Sequence, residues 1–166
     1  MSALHLVVMG VAGCGKSEVG QRVAAALQLP LVEGDTFHPQ PNIDKMRNGI
    51  ALTDEDRAGW LDALARELAA RPHGAVLTCS ALKKSYRDRL RAATPQLKFA
   101  HLALPIAEAQ RRVAARPGHF MPPSLVASQF AALEDPAGEP GVIVADATRP
   151  VEEVAVQIQQ SVMDYD

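Results

Sequence analysis

Eight residues near the start of the chain, Gly10-Val11-Ala12-Gly13-Cys14-Gly15-Lys16-Ser17, fit the pattern G-x-x-x-x-G-K-[ST] at every fixed position. The pattern constrains the fold because it works as a phosphate site only where a strand enters it and a helix leaves it. Both flanks comply. Leu4-His5-Leu6-Val7-Val8-Met9 is an apolar run of strand length, and Glu18 to Leu29 sets Val19, Val23, Ala26 and Leu27 on one helical face. Gly10, Gly13 and Gly15 permit the dihedrals that turn successive N–H groups inward, and the helix start adds its positive dipole end. The backbone from Gly10 through Val11, Ala12, Gly13, Cys14 and Gly15 to Ser17 is therefore expected to cradle a nucleoside triphosphate. Lys16 reaches the β- and γ-phosphates, and the Ser17 hydroxyl is the expected Mg²⁺ ligand.

The rest of the chain alternates in element type. Short apolar runs at 31–35, 75–79, 97–104 and 141–146 read as further strands. Helical patterns are expected over 53–71, 82–93, 106–115, 124–133 and 151–163, the first with Thr53 as N-cap and three acids at its positive end. Such alternation predicts an α/β fold with a parallel five-stranded sheet and helices on both faces. Right-handed crossovers put ligands at the carboxyl edge of the strands, where Ser17, Asp35 and Ser80 would converge. The segment 36–73 is long for a crossover and reads as a helical, substrate-covering insert within a single domain, 1–166.

Bulk properties exclude several classes. A net charge of -2 gives no general electrostatic hold on nucleic acid. No apolar run reaches the ~18 residues of a membrane span, and the first nine residues lack a basic region typical of a signal peptide. Two cysteines, Cys14 and Cys79, make no disulfide framework, which points to a reducing compartment, the cytoplasm. Among triphosphate users, a GTPase would need N-K-x-D, which is missing, and the third strand ends Thr78-Cys79-Ser80 without a Walker B acid. A small-molecule kinase remains.

Candidate acceptor-side residues follow. Asp35 ends a strand and can accept a proton or hydrogen bond from an attacking hydroxyl, or serve as a cap. His38 can meet a sugar hydroxyl or close a turn. Lys45 and Arg47 can meet a carboxylate or be solvated. Lys83, Arg87 and Arg91 recur at i, i+4, i+8, a cationic face that suits a carboxylate substrate or plain solvation. Arg112 and Arg116 share a helix face leading to Pro117-Gly118-His119, where arginines can stabilise a transferred phosphoryl group.

Four blocks carry a closer likeness: Gly34-Asp35-Thr36-Phe37-His38-Pro39, then 42–49, then 52–61, and Cys79-Ser80-Ala81-Leu82-Lys83-Lys84-Ser85-Tyr86-Arg87-Asp88-Arg89-Leu90-Arg91. They resemble, in order, the signatures of the gluconate kinases, and Arg116-Pro117-Gly118-His119-Phe120 with Gln129-Phe130 is similar to that family's lid, here about 116–124. The resemblance implies ATP- and Mg²⁺-dependent phosphorylation of D-gluconate by a protein that is commonly a homodimer, on a fold shared with shikimate and adenylate kinases. Residue chemistry and resemblance together lead us to expect Lys16, Asp35 and Arg116 in catalysis, Arg112 and Arg116 at the nucleotide, and Asp35, His38, Lys45, Ser80, Lys83, Arg87 and His119 at the substrate. Cys14 stands where the family has serine and Glu33 where it has aspartate, which weakens a Mg²⁺ role for that acid. Shikimate, a nucleoside monophosphate or another sugar acid is the alternative acceptor; a regulatory ATP-binding module without turnover is the alternative class.

Overall fold

The computed structural model describes residues 3–115 and 123–163. The chain runs β1 (Leu4–Met9), α1 (Lys16–Leu27), β2 (Leu31–Glu33), a 3₁₀ turn (Gly34–Phe37), α2 (Gln40–Arg47), α3 (Asp54–Ala69) and β3 (Gly74–Thr78). It continues with α4 (Lys84–Ala93), β4 (Lys98–Ala103), α5 (Ile106–Ala115), α6 (Pro123–Ala132), β5 (Val142–Asp146) and α7 (Val151–Met163). The strands form one parallel sheet in the order β2-β3-β1-β4-β5. β1 thus lies between strands reached in opposite directions, and a crevice for ligands opens at its carboxyl end.

Side chains alternate across a strand, so a central strand covered on both faces must be apolar throughout. Leu6, Val7, Val8 and Met9 of β1 and Ala75, Val76 and Leu77 of β3 are all fully buried. Each large aliphatic side chain so buried contributes about 1.5–3 kcal/mol. Among the helices, α1 packs on α7, α3 on α4, and α5 on α6. At the edge strand β5 the pattern reverts to alternation, with Ile143 and Ala145 buried and Val144 exposed.

Two boundaries bear on function. β2 stops at Glu33, two residues short of the expected end, because Gly34 turns against β3. A side chain at Gly34 would put its Cβ 2.2 Å from the carbonyl oxygen of Thr78, so only glycine lets the two strands approach there. Helix α4 starts at Lys84, with Lys83 as its extended N-cap rather than a member of the helical face. Thr53 caps α3 as expected. Its hydroxyl accepts from Asp56 N at 3.1 Å, and the Asp56 carboxylate closes the box on Thr53 N at 2.9 Å.

Candidate active site

The glycine-rich loop follows β1 and winds into α1. Gly10, Gly13 and Gly15 have φ of 149°, 85° and 94°, values that L side chains rarely adopt. Gly13 also lies flush on α5, where a Cβ would come within 2.9 Å of the Ala109 carbonyl oxygen. The Lys16 ammonium folds over the loop and donates to the carbonyls of Gly10 at 3.0 Å and Val11 at 3.1 Å. From α6, Gln129 Oε1 accepts the Ala12 N–H at 2.7 Å, tying the loop to the segment that follows the expected lid. The neighbouring strand ends meet this loop: Gly10 N donates to Ser80 O, and Cys79 N to Val8 O.

On the α1 side, Ser17 Oγ donates to Glu33 Oε2 at 3.2 Å, and the same oxygen accepts from Thr78 Oγ1 at 2.6 Å. The family departure at Glu33 weakens the expectation of a Mg²⁺ role, yet the parallel pairing of β2 with β3 delivers this acid to the serine. A hydroxyl and a carboxylate beside a phosphate loop are hard oxygen donors of the kind Mg²⁺ takes together with phosphates and water, so these residues fit the ion. Among the described residues no cluster of three or more acidic, histidine or cysteine side chains forms a metal site of its own.

A cavity of about 390 Å³ lies beside the loop, with Cys14, Glu108, Arg112, Thr148, Arg149 and Pro150 in its wall. Arg112 spans it, donating to Glu108 at 2.9 Å, to the carbonyl of Gly13 at 3.4 Å and to that of Ala147 at 2.9 Å. Hydrogen bonds from Arg111 and Arg112 hold the Glu108 carboxyl down at about 2. The contribution of the β5–α7 connection, Thr148 to Pro150, carries no sequence motif and was not anticipated. Arg116 and His119 lie outside the described residues.

The acceptor side is built on α3. Trp60, almost wholly buried, donates its indole N–H to Gly34 O at 2.8 Å and stacks on His38, ring centres 4.1 Å apart. The indole thereby fixes the 3₁₀ turn that presents Asp35, which is exposed. Asn42 Nδ2 sits 3.2 Å from His38 Nδ1 and leaves Nε2 free to carry the proton of a neutral ring. Burial lowers the His38 pKa to about 4; Asp35 opposes that shift and Arg57 adds to it. Ser80 is half-buried beside the phosphate loop.

The expected cationic face is corrected by the structure. Arg87 is completely buried, and all five of its N–H donors are used. Nε and one terminal nitrogen grip the Glu139 carboxylate at 3.0 and 2.7 Å, and the rest go to the carbonyls of Ala81, Leu82 and Glu134. Arg91 binds Glu139 as well, at 2.9 Å. Arg87 therefore anchors the β3–α4 loop and has no donor left for a substrate. Lys83 is paired with Asp54 at 2.9 Å and Lys45 with Asp56 at 2.8 Å, so both ammonium groups serve the first turn of α3. Arg47 is exposed.

Comparison with known proteins agrees with this geometry. A family model described as an AAA domain matches residues 6–139. The gluconokinase of Gluconobacter oxydans is 49% identical over 83% of this chain and 79% of its own length. The thermosensitive gluconokinase of Escherichia coli is 40% identical over 98% of this chain and 89% of its own. The crystal structure of a gluconokinase from Sinorhizobium meliloti superposes with a TM-score of 0.86 at 42% identity, covering 98% of this chain and 97% of that one. The APS kinase of Mycobacterium tuberculosis, 19% identical with a TM-score of 0.70, shares the fold alone. With a triphosphate loop, an exposed carboxylate at the adjoining strand end and relatives of this kind along nearly its whole length, the chain belongs to the gluconokinase family of P-loop kinases.

Proposed function

We propose that the chain transfers the γ-phosphoryl group of ATP to D-gluconate, giving 6-phospho-D-gluconate. The observation that carries the reading is Asp35, a carboxylate presented by a glycine-dependent turn beside the triphosphate loop in a member of this family. In this reading the phosphates lie along the backbone of Gly10 to Ser17, and Lys16 exchanges its two carbonyl contacts for phosphate oxygens. The nucleotide base occupies the cavity between Arg112 and Pro150. Bound Mg²⁺ would neutralise phosphate charge, and Ser17 with Glu33 would hold it. Asp35 accepts the proton of the attacking hydroxyl or orients it, and neutral His38 and Ser80 contact substrate hydroxyls. Segment 36–73 covers the acceptor, and 116–124 closes as a lid that brings Arg116 to the phosphoryl group and His119 to the substrate. The same reading expects a cytoplasmic homodimer.

Measurement of ADP release with gluconate, glucose, shikimate and nucleoside monophosphates in turn tests it. Gluconate is expected to be the fastest acceptor, with 6-phosphogluconate formed in step with ADP. Turnover of glucose at an equal or higher rate would refute the assignment.

A further inference from the structure

Arg87 has no donor left for a substrate, and Lys45 and Lys83 are each paired with a carboxylate of α3. We infer that Arg57, on α3, binds the carboxylate of the acceptor and sets specificity for a sugar acid; this rests on the gluconate reading above. Arg57 is only 9% exposed, yet among the described residues its guanidinium makes a single side-chain hydrogen bond, from Nη1 to the Tyr86 hydroxyl at 3.1 Å. No carboxylate lies within ion-pair distance of it among the described residues, whereas Lys45, Lys83 and Arg87 each have one. The Nε and Nη2 donors of Arg57 are not sealed in the interior, so a side chain that is largely buried still offers an unused edge of its fork to an incoming anion.

The surroundings favour that anion being the acceptor. Tyr86 donates its own proton to Asp54 Oδ1 at 2.5 Å, so its oxygen can accept from Arg57, and Asp54 meets the guanidinium only through the phenol and at longer range. The guanidinium also lies over the Tyr86 ring, 5.4 Å from its centre, which fixes the plane of the fork. Trp60, three residues on and so on the same helical face, holds His38 and the turn bearing Asp35. The charge of Arg57 is felt at both His38 and Cys79, on the two loops that border the acceptor space. On its other side Arg57 lines a narrow cleft with Ser128 and Gln129, the residue bonded to the phosphate loop. A planar, bidentate donor in this position recognises a carboxylate and gains nothing from a neutral alcohol.

Kinetics of Arg57→Met and Arg57→Lys with gluconate and with D-glucitol, its neutral analogue, test the inference, beside melting curves. Arg57→Met is expected to lower kcat/KM for gluconate about a hundredfold or more, in line with losing one partner of a buried charge pair. Turnover of glucitol and KM for ATP should stay near wild type, so the preference for the acid collapses. Arg57→Lys should fall between, because it keeps charge and loses the fork. Both variants should melt close to the wild-type temperature, since the guanidinium gives the fold a single side-chain hydrogen bond. Equal losses with gluconate and glucitol, or variants that fail to fold, would make Arg57 a structural residue and overturn the inference. Wild-type protein inactive on gluconate would instead sink the function it rests on.

Discussion

In the proposed reaction Asp35 meets the attacking hydroxyl, and the structure gives its carboxylate no capping bond. A capping role would require its carboxylate to accept a backbone N–H. The 3₁₀ turn is instead entered from Glu33 and α2 from Pro39, neither with a side-chain cap, while Asp35 stands exposed. Phosphoryl transfer passes through a loose transition state, so positioning outweighs early proton removal, but a general base still contributes ~10²–10⁴-fold. Asp35→Asn keeps the shape and one acceptor oxygen. Its kcat is expected to fall by about two to three orders of magnitude, with KM for ATP and the melting temperature little changed. Steady-state kinetics beside a melting curve decide it: retained kcat with a much lower melting point would return Asp35 to a structural role.

Helix α4 shows what a sequence pattern can and cannot say about an element. Periodicity placed Arg87 and Arg91 on one face of it, and that much holds. The partner of that face, Glu139, comes from a loop about fifty residues on, and no local spacing announces it. The same reason hid the meeting of Glu33 with Ser17, which exists only once β2 has paired with β3. Arg57 was hidden differently: in an acid-rich first turn after a cap it looks like one more solvated charge, and only burial distinguishes it. By contrast the strands, the phosphate loop and the cap at Thr53 were legible, because each rests on residues adjacent in the chain. The anchoring role of Arg87 gives a test. Arg87→Met leaves Glu139 nearly buried beside a lost partner and frees three loop carbonyls, so stability should drop by about 3–5 kcal/mol. Enzyme that remains folded, assayed at low temperature, should keep its KM for gluconate. A raised KM without loss of stability would reinstate Arg87 as a substrate ligand.

At the scale of the whole molecule, two histidines couple the acceptor side and the sheet to pH. Burial depresses His38, to about 4, and also His101 in β4, with Asp35 and Asp135 respectively opposing the shift. An unfolded histidine protonates near 6.5, whereas folded His38 stays neutral until about 4. Between those values the unfolded chain binds more protons, so stability rises with pH through this window and the histidine contribution is complete above it. Acidic groups act lower down: Asp56, held near 2 by Lys45, contributes stability above its ordinary 3.8 that is lost as pH falls toward 2. If the chain unfolds as one cooperative unit, both regions enter a single transition. The melting temperature is therefore expected to be level above pH 6.5, to decline from there to pH 4, and to fall again below it. His38→Phe keeps a flat ring against Trp60 but cannot titrate, so it should make the slope between pH 6.5 and 4 shallower, leaving the part due to His101, and leave the slope below 4 intact. Melting curves of the two proteins across this range are the measurement. An unchanged slope in the variant would mean that His38 is solvated enough to titrate normally, and that the stack on Trp60 does not exclude water from the ring.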